Sequence, residues 1–250
     1  MIVFADWYYM NERTRAEYTW YLSQGWEVMD TGPYPAHEII RHANFVAAVS
    51  GGAAAPAPPV IAWPEAAPPA GIQGAYAVLN PGSNEYGRRW PLAQYVDLAR
   101  RLRGRGLSVV FVGKADEKAA GKAGRSEIDG LADDPGVIDM TGRSTLPELL
   151  DLMRGAALVV SNDTGPAHVA IALQAPTVVI VGGGHFGCFV PYPDGVAPDH
   201  ARFVYQPMDC YHCFWRCHKR SDPKASFPCV AAVTMAQVEE ACDDLLGPAP

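Results

Sequence analysis

Residues 158–181 open as Leu158-Val159-Val160-Ser161-Asn162 and continue as Asp163-Thr164-Gly165-Pro166-Ala167-His168. A short apolar helix pattern follows, and Pro176-Thr177-Val178-Val179-Ile180-Val181 closes the stretch. Two apolar, β-branched runs so closely spaced predict parallel strands, and the polar hexapeptide falls where the first strand turns into a helix. That junction suits an anion. Backbone N–H groups of a first helical turn have no partner within the helix and carry the positive end of its dipole. Gly165 admits a phosphate close to the backbone, and Pro166 fits the first turn, where its missing N–H costs nothing. These residues alone predict a phosphorylated ligand.

The same alternation extends on both sides. Strands are expected at Tyr76–Asn80, Leu107–Val112, Val137–Met140, Leu158–Ser161 and Thr177–Val181. Between them Leu92, Tyr95, Val96, Ala99 and Leu102 make one helical stripe, and Leu146, Leu149, Leu150 and Met153 another, with Thr145 and Glu148 as a capping box. A last helix over Thr234–Leu246 is capped by Thr234 and Gln237 and buries Val238, Ala241, Cys242 and Leu245. Short apolar strands alternating with amphipathic helices imply an α/β fold whose parallel sheet is covered on both faces. Ligands of such sheets bind at the carboxyl ends of the strands.

Upstream the pattern changes. Residues 1–52 offer a short strand at Ile2–Ala5, a helix-like aromatic segment at Glu12–Ser23, and a second helix with Ile39, Ile40, Ala43, Val46 and Ala47 on one face. Residues 53–70 are dense in alanine and proline, the composition of a semi-rigid connector, and residues 71–250 form the larger domain. The 250-residue chain is 49% hydrophobic and 19% charged, which excludes a disordered polypeptide. Its net charge of −7 argues against general affinity for nucleic acid. Neither a secretory leader at Met1–Ala5 nor an apolar run of about 18 residues is present, so a cytoplasmic location is expected, with peripheral membrane contact left open.

Asn80-Pro81-Gly82-Ser83, Arg88-Arg89-Trp90-Pro91, Gly113 after a strand, Thr141-Gly142 with Ser144-Thr145-Leu146, and Asn162 to His168 follow one another over residues 71–246. Together they resemble glycosyltransferase family 9, the heptosyltransferase family, in its carboxy-terminal half. The resemblance implies a GT-B fold, two Rossmann-like domains across a cleft, with the donor held by the carboxy-terminal one. It implies a nucleotide-diphosphate sugar such as ADP-heptose as donor, a lipopolysaccharide or other glycan or glycolipid as acceptor, and no redox cofactor.

Each loop has a physical reason to meet such a donor. In Pro81-Gly82-Ser83, glycine permits a tight turn and Ser83 offers an N–H and a hydroxyl to phosphate, although an ordinary strand-ending turn reads the same way. Arg88 and Arg89 are adjacent, so in an extended loop only one faces the diphosphate. The resemblance assigns that place to Arg88, leaving Arg89 to a structural ion pair and Trp90 to packing. Glu117, with Asp116 beside it, can accept from ribose hydroxyls; a carboxylate at a helix N-terminus would look alike. Met140 and Thr141, with Gly142, can flank the adenine, although an apolar strand end reads equally well as core. Thr164 and Gly165 would donate N–H groups to the diphosphate, His168 lies about one turn into the helix, and Asp163 caps the helix or binds a sugar hydroxyl. Gly182-Gly183-Gly184-His185-Phe186-Gly187 is a further loop at this edge, its glycines allowing close approach and His185 reaching diphosphate or sugar. A subset of the family has a basic residue where this chain has Cys188.

Cys210, Cys213, Cys217 and Cys229 are spaced C-x2-C-x3-C-x11-C with His212 and His218 interleaved. Four thiolates suit a structural Zn²⁺ or iron, the alternative being reduced, partly buried thiols. No catalytic residue is assigned. The resemblance implies a carboxylate base after the first strand of the amino-terminal domain, but about fifty residues are too few for that domain, and Asp6 lacks its glycine-aspartate context. Two functions stay open: a glycosyltransferase, and a nucleotide-sugar-binding accessory module without turnover. An isomerase on the same fold would need an acid/base pair that the sequence does not show. Oligomerisation is also left open.

Overall fold

A computed structural model describes residues 2–4, 20, 23, 27–29, 31–32, 34–64, 71–72, 74–114, 128 and 130–247. The chain forms two compact units, Met1–Pro58 with Gly187–Val196, and Pro59–Phe186 with Ala197–Pro250. In the first, β1 (Ile2–Phe4) pairs in parallel with β2 (Glu27–Met29), and α1 spans Glu38–Ser50. His37 caps α1 by accepting from the Ile39 N–H at 3.1 Å, and its other ring nitrogen meets the Phe189 carbonyl at 2.7 Å. Ala43 is buried as the stripe predicts, but Val46 is exposed and Arg41 is buried instead, beside Glu38 at 3.7 Å.

The second unit carries a six-stranded parallel sheet. Its strands are β3 (Tyr76–Asn80), β4 (Ser108–Phe111), β5 (Val137–Asp139), β6 (Leu158–Asn162), β7 (Thr177–Ile180) and β8 (Ala201–Val204), in spatial order β5-β4-β3-β6-β7-β8. This is the doubly wound order in which direction reverses between β3 and β6, and the crevice at that reversal is where such sheets take their ligands. Alternate residues of each strand face opposite layers. Ala77 and Leu79 pack with α2 (Leu92–Gly104) and α6 (Met235–Leu246), whereas Tyr76 and Val78 pack with α3 (Leu146–Arg154) and α4 (Gly165–Ala172). A short helix, α5 (Pro228–Ala231), precedes α6. Both predicted capping boxes form, Thr145 with Glu148 and Thr234 with Gln237.

Part of the alanine- and proline-rich segment lies along this unit. The Ile61 N–H donates to the Ala172 carbonyl at 2.8 Å, and the Trp63 indole donates to Asp151 Oδ1 at 2.7 Å.

Candidate functional site

Two asparagines that end adjacent strands build the crevice. Asn80 closes β3 and donates to Ser161 Oγ at 2.9 Å and Thr164 Oγ1 at 3.1 Å. Asn162 closes β6, is fully buried, and uses both ends of its amide. Its Oδ1 accepts from the Trp90 N–H at 2.9 Å and the Tyr95 hydroxyl at 3.2 Å; its Nδ2 donates to the carbonyls of Pro81 at 2.8 Å and Gly82 at 3.3 Å. Burial holds the Tyr95 phenol well above its ordinary range, so it stays a donor. The loops after β3 and β6 are therefore tied together through one side chain.

This frame brings most of the expected residues to one place. Arg88, at the end of a 3₁₀ turn over Tyr86–Arg88, donates through NH2 to the Asp163 carbonyl and lies 3.3 Å from Asp163 Oδ2. His168 Nε2 is 3.6 Å from the other Asp163 oxygen. Ser83 is buried, and neither its Oγ nor Arg88 Nε has a hydrogen-bond partner among the described residues, so two donors at this spot have unused capacity. At the start of α4, Gly165 is exposed, its φ lies outside the left-handed region, and a Cβ there would meet nothing within 4 Å among the described residues. Glycine at this position answers no demand of the fold and leaves the first helical turn open to an approaching group.

Some expectations change. Asp163 does not cap α4; the N-cap is Thr164, without a side-chain cap bond, and Asp163 is the counter-ion of Arg88. Arg89 makes no ion pair among the described residues. Its guanidinium donates twice to the Ser83 carbonyl, at 3.0 and 2.6 Å, while Trp90 is buried. Gly82 does not take a positive φ, so that turn does not need a left-handed residue.

Met140 and Thr141 lie at the end of β5, where the Gly142 N–H donates to the Gly113 carbonyl at 2.8 Å. They share the sheet's carboxyl edge on the β4–β5 side, and Thr141 Oγ1 is buried without a partner among the described residues. Asp116, Glu117 and Asp6 lie outside the described residues.

The glycine loop after β7 serves a purpose the sequence does not reveal. A Cβ on Gly183 would fall 2.2 Å from the Tyr211 ring, and one on Gly184 would fall 2.2 Å from the Trp215 indole. These two glycines admit aromatic rings of the cysteine-rich segment, not a ligand. His185 follows, edge-on to Phe214 and Trp215. Burial first, then the charges of Arg88 and His212, lower its pKa against the opposing pull of Asp163.

The cysteines share a wall without forming a centre. Cys210, Cys213, Cys217 and Cys229 all line one cavity of about 10 Å³. Even so, among the described residues no group of three or more His, Cys, Asp or Glu side chains stands in position to hold a metal ion. The four-thiolate arrangement expected from the spacing is thus not assembled. Burial raises the Cys213 and Cys229 thiols, and the neighbouring cysteines add to the rise.

The family model for glycosyltransferase family 9 (heptosyltransferase) matches residues 53–210. The chain belongs to glycosyltransferase family 9. Lipopolysaccharide heptosyltransferase 2 of Salmonella typhimurium is 32% identical over 135 residues, 53% of this chain and 36% of the relative. The matched region thus spans about a third of the relative's length. A family 9 glycosyl transferase from Veillonella parvula superposes with a TM-score of 0.65 at 19% identity, over 91% of this chain and 65% of that one. The E. coli heptosyltransferase WaaC, solved with ADP-2-deoxy-2-fluoro heptose, gives 0.56 at 16% identity, over 88% and 59%. The iron-containing dodecameric glycosyltransferase TibC of enterotoxigenic E. coli gives 0.54 at 19%, also over 88% and 59%. These likenesses establish the fold, a GT-B-type α/β architecture.

Proposed function

We propose that this chain binds the ADP-sugar donor of a heptosyltransferase-like reaction, with the diphosphate at the β3–β6 crevice and a lipopolysaccharide or other glycan as acceptor. The observation that carries this reading is the convergence of Ser83, Arg88 and the open first turn of α4 on one frame held by Asn162. Backbone N–H groups of Thr164 and Gly165 and the Arg88 guanidinium would meet the phosphates, stabilising negative charge as the nucleoside diphosphate leaves. Asp163 keeps Arg88 extended until a phosphate takes its place as partner. His168 and His185 flank the same anion, toward phosphate or sugar. Met140 and Thr141, on the β4–β5 side of the switch, suit the nucleoside, and Glu117 its ribose.

The acceptor hydroxyl would attack the anomeric carbon, the bond to the diphosphate oxygen would break, and a base outside this site would take the proton. The chemistry fits a cytoplasmic enzyme working on an acceptor at a membrane surface, and no helix of the described residues is long and apolar enough to cross a membrane. The four cysteines line one cavity without standing as a ligand set, so a structural Zn²⁺ or iron there would have to draw them together; what supports that reading is the softness of four thiolates as donors and the iron reported for TibC. Elemental analysis of the purified chain tests it, one ion per chain being the expected result. TibC is dodecameric, and sedimentation would show whether this chain self-associates.

Calorimetric titration with ADP, ADP-heptose and AMP tests the central reading. ADP and ADP-heptose should bind and AMP should bind at least about tenfold more weakly, since charge-assisted bonds to the second phosphate are worth about 1.5–3 kcal/mol. Equal affinity for AMP would remove the diphosphate from this crevice. A transfer assay on the same samples distinguishes the enzyme from an accessory module: turnover identifies the first, donor binding without turnover the second.

A further inference from the structure

The segment between Cys210 and Cys217 reaches the crevice through an aromatic side chain. His212, Phe214 and Trp215 all have left-handed backbone, with φ of 66, 53 and 60°. Bulky residues avoid that region, so three of them within four positions require surroundings that fix them. The His212 N–H donates to the Gly183 carbonyl at 2.7 Å and the Phe214 N–H to the Gly184 carbonyl at 3.0 Å. The Trp215 indole stacks on Phe227 with ring centres 5.6 Å apart, in space that Gly182 and Gly184 leave by lacking a Cβ. What this construction delivers is the face of an indole, 4.6 Å from Arg88 Cζ.

Arg88 needs such a support. One guanidinium nitrogen is engaged by Asp163, and Nε is buried without a hydrogen bond among the described residues. The indole face supplies the remaining restraint by cation–π attraction. An arginine pinned in its binding pose loses less conformational freedom when an anion arrives, which raises affinity without any new contact to the ligand.

We propose that Trp215 is a positioning residue that holds the Arg88 guanidinium toward a nucleoside diphosphate, so that the four-cysteine segment sets donor affinity from outside the crevice. This rests on the reading of Arg88 as a diphosphate ligand. The test is a double-mutant cycle read by ADP titration, using the intact chain, W215L, W215F, R88M and the R88M/W215L double variant. W215L should weaken ADP by about tenfold, the scale of a desolvated cation–π contact, while W215F keeps most of the affinity. In the R88M background, W215L should change nothing further. Were W215L not to fold, G184A, which drives a methyl group into the indole, replaces it with the same expected loss and the same dependence on Arg88.

Each other result overturns something definite. If the intact chain binds no ADP, the reading of the crevice fails and this inference fails with it. If the intact chain binds and W215L binds equally well, only the inference fails. A loss from W215L that persists undiminished on top of R88M also overturns it, because the indole would then act on the fold or the ligand and not through Arg88.

Discussion

The loops after β3 and β6 are tied by side-chain amides, Asn80 and Asn162, that reach across from one strand end to the next. The cysteine-rich segment facing them is tied by backbone bonds onto Gly183 and Gly184 and by rings seated where those glycines lack side chains. The first wall follows from strand order, since β3 and β6 must be neighbours for their terminal residues to meet. The second depends on a loop whose backbone is locally unfavourable and whose support is tertiary. The two walls are thus held differently, one by the strand order and one by rings packed against the core.

The largest effect should come from breaking the first wall. Asn162→Ala strips partners from the buried Trp90 N–H and Tyr95 hydroxyl and from the half-buried Pro81 carbonyl, and should cost about 3 kcal/mol or more in chemical denaturation. A loss below about 1 kcal/mol would show that the network relaxes. Gly183→Ala attacks the second wall, overlapping the Tyr211 ring at a cost of about 1–3 kcal/mol. Its signature should be a local one: exchange protection lost around 210–217 and kept in β3 and β6.

Arg88→Met sharpens the comparison at the point where the walls meet. It should lower ADP affinity by about 2 kcal/mol with little change in thermal midpoint. Thr145→Ala, in the capping box of α3, should cost about 1 kcal/mol in chemical denaturation.

The smallest expected effect is on pH dependence. His185 has a folded pKa below its ordinary 6.5, so the unfolded chain takes up its proton first as pH falls. Between the two values the unfolded state binds more protons, and stability therefore declines as pH drops through that window. His185→Gln should flatten this limb in denaturation curves collected from pH 7.5 down to 5.

Much of the frame is legible in the sequence, for identifiable reasons. Leu158–Ser161 and Thr177–Val181 are apolar and β-branched because those strands are buried on both faces, and two of the predicted helix starts carry reciprocal caps. β8 escapes because Ala201-Arg202-Phe203-Val204 is a short edge strand with no clear period. The glycine run after β7 is visible, but a glycine that makes room for a ligand and one that makes room for a ring are the same letter. Trp215 is invisible as a site residue: its neighbours in sequence advertise thiol chemistry, and only the approach of Gly184 and Arg88 in space gives it a role. Asp163 misleads for a related reason, since its place before the helix suggests a cap and its true partner comes from another loop.

The Asn162 amide accepts on one side and donates on the other, so it tolerates a single orientation. An aspartate of the same shape would turn an oxygen toward the carbonyls of Pro81 and Gly82, and the clamp would become a wedge. Asparagine and aspartate codons differ by one base, yet that shortest of genetic steps is closed here, and drift at this position has to find a longer way round.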